Sequence, residues 1–166
     1  MLQIDYKELT TTLTTSLVKE FRLLQELVDT LREERSAQGN KSEKEVRRLI
    51  ALKKMVLNDL KQNADERFEQ KNTLATLMGI RGTVTCRDLT KVVGSDESAQ
   101  IQNILEGSIA LWKLAEETNK ASQQFLSSAL ETDGQSGFED KNVLQDSLAL
   151  TERMQTVMEQ ITKSYG

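Results

Sequence analysis

Apolar residues recur every three or four positions along most of the chain, and this spacing predicts long amphipathic helices. The first series runs from Leu9 to Leu31. Just before it stand Asp5 and Glu8, which have the spacing of a capping box, the reciprocal pair of hydrogen bonds that starts a helix. Gly39 is the expected stop, because glycine readily adopts the left-handed conformation found just after a helix. The pattern therefore predicts one long first helix.

A second helix is predicted to begin almost at once. Ser42 and Glu45 have the capping-box spacing again, so the connection between the two helices is very short. Such a connection forces the helices to run antiparallel and gives a first hairpin over about residues 5–79. In the second half of this helix the apolar stripe thins to Ala64 and Phe68, which predicts a narrow buried edge.

The stretch over about residues 80–94 is the least regular part of the chain. Thr85 and Asp88 repeat the capping-box spacing, so a short helix is predicted from Cys86 to Val93. We expect this segment to form a helical elbow between two longer hairpins.

The C-terminal part of the chain, about residues 95–166, predicts a second hairpin. Ser136 and Glu139 mark the expected start of its last helix. The apolar band on that helix is wider than the two-in-seven seam of a coiled coil, so it should contact more than one neighbour. The predicted fold class is all-α: two long antiparallel helical hairpins joined by a short helical elbow, in an up-down helical bundle that forms one domain over residues 1–166.

Composition favours helices and argues against catalysis. The chain has no proline and 4% aromatic residues against 29% charged residues, a balance typical of helical bundles rather than sheets. It also has no histidine, which excludes His-based acid–base catalysis, the usual nucleophilic triads and the common transition-metal ligand sets. We therefore expect no enzyme activity, no cofactor and no metal site.

Charge, hydropathy and cysteine content bear on nucleic-acid binding, membrane insertion and cellular location. The net charge is −4 and acids are interspersed among the basic residues near Arg47, so no nucleic-acid binding is expected. No run of about 18 apolar residues occurs and the first residues do not form a secretory signal, so no membrane insertion is expected. One cysteine cannot form an internal disulfide, which is compatible with a reducing compartment. The predicted location is the cytoplasm.

Three residues have alternative interpretations. Cys86, beside Arg87, is either a small packing residue or a nucleophile with a lowered pKa. Trp112 is either a core anchor or an exposed anchor on a partner surface. Asn119 interrupts the apolar face of its helix, where it either fixes helix register in the core or faces the edge of the bundle.

Several short motifs occur in order along most of the chain. They are Lys19-Glu20 with Leu23-Leu24, Glu66-Arg67 followed by Thr73-Leu74-Ala75-Thr76-Leu77-Met78-Gly79, the capped stretch from Thr85 to Val92, Asn119-Lys120-Ala121-Ser122 with Phe125-Leu126, and Ser164-Tyr165-Gly166. In order and spacing they resemble the FlgN family of flagellar export chaperones. Ser122 stands where the family has a second asparagine, and the family continues in a flexible tail beyond the position of Gly166.

The resemblance implies a cytoplasmic chaperone of the type III secretion class. Such a protein binds the C-terminal amphipathic helices of hook–filament junction (hook-associated) proteins, prevents their premature association and escorts them to the export apparatus. A helical bundle with a wide apolar band suits this task, because an amphipathic helix can lie in a groove between helices. We expect the client groove on the last two long helices. Its expected walls are Phe125, Leu126, Leu130, Leu144, Leu148, Met154, Val157, Met158 and Ile161.

Alternatives to this interpretation stay open. The alternative for these nine residues is that the whole set is simply bundle core, which is the preferred interpretation for any single one of them. A structural coiled-coil or helical-bundle scaffold with no flagellar role is the alternative function; it should show a continuous heptad seam, whereas the apolar seam thins in the second helix and breaks at the elbow. Either a monomer or a homodimer is compatible with the pattern.

Overall fold

The computed structural model describes residues 6–132 and 137–166, and these contain five α-helices. They are α1 (Tyr6–Gly39), α2 (Glu43–Leu77), α3 (Cys86–Thr90), α4 (Ser95–Glu131) and α5 (Lys141–Tyr165). The described residues contain no β-strand, so the prediction of an all-α helical bundle is confirmed. None of these helices combines the length and the apolar character needed to cross a membrane.

The four long helices pack in a ring, because α1 and α5 each contact both α2 and α4. Helices α1 and α2 run antiparallel, since Glu20 pairs with Arg67 while Glu34, further along α1, pairs with the earlier Lys53. Helices α4 and α5 are antiparallel by the same criterion. Their contacts are Trp112–Tyr165 and Asn119–Thr151.

The apolar core has a main part along the bundle and a smaller part at the elbow. The main part includes the buried Trp112, which favours the interpretation of this residue as a core anchor. The smaller part packs side chains of the elbow against α1 and α2, while α3 itself also contacts α4 and α5. Its buried members are Leu13, Leu74, Ala75, Val84 and Leu89.

The turn between α1 and α2 differs from its prediction in two ways. Lys41, not Gly39, adopts the left-handed conformation, with a φ of 54°. The amide of Ser42 donates to the carbonyl of Ala37 at 2.9 Å, which is the hydrogen bond of a Schellman helix end placed two residues later than predicted. Ser42 is the N-cap of α2, but its side chain makes no capping hydrogen bond. The predicted capping box is wrong here, because the Glu45 carboxylate pairs with a neighbouring arginine instead.

The elbow begins as predicted and its helix ends early. The amide of Thr85 donates to Asp88 Oδ2 at 3.0 Å, and the amide of Asp88 donates to Thr85 Oγ1 at 3.1 Å, so the capping box is confirmed. Helix α3 stops at Thr90 rather than at Val93. The residues after Thr90 turn through bonds to carbonyls three and four residues back instead of continuing the helix.

The start of α5 also differs from its prediction. Asp140 is the N-cap, and its side chain accepts from the amide two residues ahead at 2.9 Å. Helix α5 therefore begins at Lys141. The amide of Glu139 donates to a carboxylate of α2 and takes no part in a cap. Ser136, and Asp5 at the first predicted capping box, lie outside the described residues.

Two buried ion pairs lie in the seam between α1 and α2. Glu34 and Lys53 are both 0% exposed; the ammonium nitrogen lies 3.1 Å from Oε1, where it forms a hydrogen bond, and 3.0 Å from Oε2. Glu20 and Arg67 form the second pair at 2.6 Å. In each helix the two charged residues are two heptads apart, and leucines occupy the heptad position between them and the one on the far side of Glu20 or Arg67. These leucines are Leu13, Leu27, Leu60 and Leu74.

Replacing Lys53 with leucine is expected to lower the free energy of unfolding by about 3–5 kcal/mol, because the change leaves the Glu34 carboxylate buried without a cation. Replacing both residues with leucine (E34L/K53L) is expected to recover that loss, since the two leucines extend the apolar seam. Urea unfolding followed by circular dichroism measures both effects.

The exposed pair between Glu33 and Arg48 provides the matched control. The Glu33→Leu substitution should leave the unfolding midpoint unchanged, because exposed ion pairs contribute little. A Lys53→Leu protein as stable as the Glu33→Leu protein would show that burying Glu34 without its cation does not destabilise the hairpin.

Candidate functional site

A buried polar network joins the four long helices. Glu20 of α1 accepts hydrogen bonds from Arg67 of α2, at 2.6 Å, and from the hydroxyl of Tyr165 of α5. The same hydroxyl accepts a hydrogen bond from the indole of Trp112 of α4 at 3.2 Å. Each of these four side chains is at most 2% exposed. Every long helix therefore contributes one group to a single connected network.

Burial and pairing act in opposite directions on the charges of this network. Burial raises the pKa of Glu20, although Arg67 and Tyr165 both favour its ionised form. Burial is the largest influence on the pKa of Arg67 and acts to lower it, but Glu20, Cys86 and Tyr165 together outweigh burial and the pKa rises, so the guanidinium stays charged. A substrate has no access to these groups at such low exposure. The network therefore serves to hold the four helices in one arrangement.

Cys86 of α3 is buried beside this network. Burial raises the pKa of its thiol, and the nearby Arg67 and Lys71 offset this only in part. A thiol with a raised pKa stays neutral and is a poor nucleophile. The structure therefore favours the interpretation of Cys86 as a packing residue.

A second buried network surrounds the Glu34–Lys53 pair. Gln38 donates to Glu34 Oε1 at 3.3 Å, and the hydroxyl of Ser122 on α4 lies 3.4 Å from the same oxygen. Asn119, one turn before Ser122, is also buried and donates to the main-chain carbonyl of a residue in α5 at 2.9 Å. This contact favours the interpretation of Asn119 as a residue that fixes register inside the core.

The nine residues expected to wall a client groove all belong to the core or its margin. The wide apolar band on α5, which includes the members of this set from Leu144 to Ile161, contacts both α2 and α4, as its width predicts. Six of them are buried and three are partly buried against the core. The buried six are Leu126, Leu144, Met154, Val157, Met158 and Ile161, and the other three are Phe125, Leu130 and Leu148. In this packing a client helix reaches most of them only if α5 moves.

A surface groove of about 270 Å³ runs between α2 and α5 beside the elbow. Three buried residues, Val84, Val157 and Ile161, line its floor. Phe68 of α2 forms one wall and is 52% exposed. Two of the nine predicted residues, Val157 and Ile161, thus lie at the base of an open groove. We call this feature the Phe68 groove.

Sequence reasoning placed Phe68 on the wrong side of α2. The thinned apolar stripe predicts it in the buried edge, whereas the side chains that are buried there include Arg67 and Lys71. Arg67 lies seven residues after Leu60 and seven before Leu74, so heptad spacing was the available signal. A charged residue is tolerated at this seam position because α1 supplies a buried carboxylate.

Comparison of the chain with protein-family models, curated proteins and solved structures finds no match. Within residues 6–132 and 137–166, no group of three or more histidine, cysteine, aspartate or glutamate side chains is arranged to hold a metal ion. The fold and the two networks define a helical bundle with polar residues buried where its helices meet.

Replacing Tyr165 with phenylalanine is expected to lower the free energy of unfolding by about 1–3 kcal/mol, because it leaves Glu20 without one donor and the Trp112 indole without its acceptor. The emission of Trp112, the single tryptophan, should change in the folded protein. Urea unfolding and fluorescence spectra measure these effects. Unchanged stability together with an unchanged spectrum would show that the hydroxyl does not couple α4 and α5.

Cys86 is expected to react with a maleimide roughly a thousandfold or more slowly in the folded protein than in the unfolded chain, because reaction requires opening of the core. Mass spectrometry of timed samples, with and without guanidinium, measures the two rates. Rapid labelling of the folded protein would instead support an accessible, reactive thiol.

Proposed function

We propose that the protein is a flagellar export chaperone of the FlgN type. In the cytoplasm it binds the C-terminal amphipathic helices of hook-associated proteins, prevents their premature association and escorts them to the export apparatus. In this proposal the two antiparallel hairpins, α1–α2 and α4–α5, together with the elbow form the unit that holds the client helix.

One observation carries the proposal. Several of the polar residues in the motifs that resemble the family are buried in contacts between helices. Polar residues at such positions restrict how helices can pack, because each must keep its partner. Resemblance at these positions therefore favours a shared bundle arrangement over a chance likeness of leucine patterns. The residues are Glu20, Arg67, Asn119 and Tyr165.

A structural coiled-coil or helical-bundle scaffold with no flagellar role is the second candidate. The heptad spacing of the α1–α2 seam suits this function, because heptads also join separate chains. Here, however, the seam residues of α1 and α2 are buried within a single chain. This observation argues against a scaffold that joins separate chains through this seam.

The proposed binding mode matches the surface of the bundle. An amphipathic helix that is disordered when free must be ordered on binding, at a cost of about 2–5 kcal/mol or more. That cost leaves a moderate affinity, which suits a partner that has to be released. An open groove between two helices meets this need without requiring the bundle to unfold.

A peptide from the C-terminal helix of a hook-associated protein is expected to bind with a Kd on the order of micromolar, because helix ordering offsets part of the contact energy. The helicity of the mixture should exceed the sum of the separate components. Calorimetric titration and circular dichroism measure these two quantities.

A scrambled peptide of the same composition is the control for this titration. Absence of both heat and added helicity, with a folded protein, would contradict the chaperone function. Concentration-dependent self-association in sedimentation experiments would then favour the scaffold.

A further inference from the structure

The Phe68 groove contains an apolar surface that the bundle itself leaves open. Phe68 is 52% exposed in a chain with only 4% aromatic residues. Its ring extends the apolar floor of the groove toward solvent, and Lys71 Nζ lies 5.3 Å from the ring centroid. Exposed aromatic side chains beside apolar pockets are typical anchors of protein interfaces.

The charges around the groove differ from those of the whole chain. Lys61, Lys71 and Lys163 line it together with one acid, Asp65; Lys71 is buried, so Lys61 and Lys163 are the exposed cations. Lys61 and Asp65 lie 3.8 Å apart, so that pair is partly neutralised. The lining keeps an excess of positive charge, whereas the chain has a net charge of −4. A partner with acidic residues is therefore favoured at this surface.

The length of the groove suits a short helix. Residues 61–71 of α2 form one side, and at 1.5 Å per residue they extend for about 15 Å, or roughly three helical turns. The described residues contain no strand to which an extended peptide could add. Docking of a helix along α2 and α5 is therefore the recognition mode that this surface supports.

We infer that the Phe68 groove is the docking site for an amphipathic helix that carries acidic residues along the flanks of its apolar face. The apolar face covers Phe68 and the floor beneath it, and the carboxylates pair with Lys61 and Lys163. The inference rests on the proposed function, and adds to it the surface that is used and the charge of the partner.

A pair of designed peptides tests the inference without any flagellar protein. Both are about 18 residues long with leucine at the i, i+3, i+4 and i+7 positions; one has glutamate at the flanking positions and the other has lysine. Fluorescence anisotropy should show micromolar binding of the acidic peptide and binding of the basic peptide that is at least about tenfold weaker. The affinity for the acidic peptide should fall as salt is added.

Substitutions in the chain locate the binding surface. Phe68→Ser is expected to weaken binding of the acidic peptide about tenfold or more, because it removes the aromatic anchor. Met55→Ser is the matched control: Met55 is 63% exposed on the same helix, does not line the groove, and its loss should leave the affinity unchanged. The double change Lys61→Glu and Lys163→Glu should reverse the preference in favour of the basic peptide. Urea unfolding of each variant confirms that it is folded.

The outcomes separate this inference from the proposed function. Failure of both designed peptides to bind, equal binding of the two, or equal losses in the Phe68→Ser and Met55→Ser proteins overturns the groove. A hook-associated peptide that binds the original protein and the Phe68→Ser protein equally overturns the groove and leaves the proposed function standing. Failure of that peptide, with binding of the acidic design that depends on Phe68, overturns the proposed function and leaves the groove.

Discussion

A buried carboxylate must find its hydrogen-bond donors inside the protein, and Glu20 finds them on two other helices and, through Tyr165, reaches a third. Arg67 brings the opposite charge from α2, and the Tyr165 hydroxyl links α5 to the indole of Trp112 in α4. A buried charge that loses its partner is strongly destabilising. The long helices therefore have to come together in one arrangement, and the apolar core packs around that requirement.

The existence of the helices could be predicted from apolar spacing, because every long helix buries a periodic stripe. The helix ends were less predictable. Helix α1 ends at Gly39 as expected, but the left-handed residue after the helix is Lys41, because glycine is also tolerated in the last helical turn. The burial of Arg67 was not predicted, because a charged residue is expected at the surface unless its buried partner is known. That partner, Glu20, lies in another helix, and only the folded chain brings the two together.

The apolar residues of the candidate site illustrate a different limit of sequence reasoning. A leucine-rich band predicts burial but does not say whether a neighbouring helix or an external partner covers it. In this fold, α4 and α2 cover most of the predicted residues, and the open surface centres on Phe68 instead. The two features are linked physically. Ile161, in the groove floor, lies one turn before Tyr165, so the buried network that positions α5 also sets the shape of the Phe68 groove.

The alternation of leucine and charge in the α1–α2 seam has a consequence for how the chain folds. If α2 slid by one heptad against α1, neither ion pair would form, and at least three of the four charged residues would face leucine or valine in the seam, buried without partners. A slide of two heptads restores only one pair and leaves long ends of both helices unpacked. Misaligned hairpins formed early in folding would therefore be high in energy and short-lived. The charged residues, which contribute little net stability as pairs, select the correct alignment by making the incorrect ones costly.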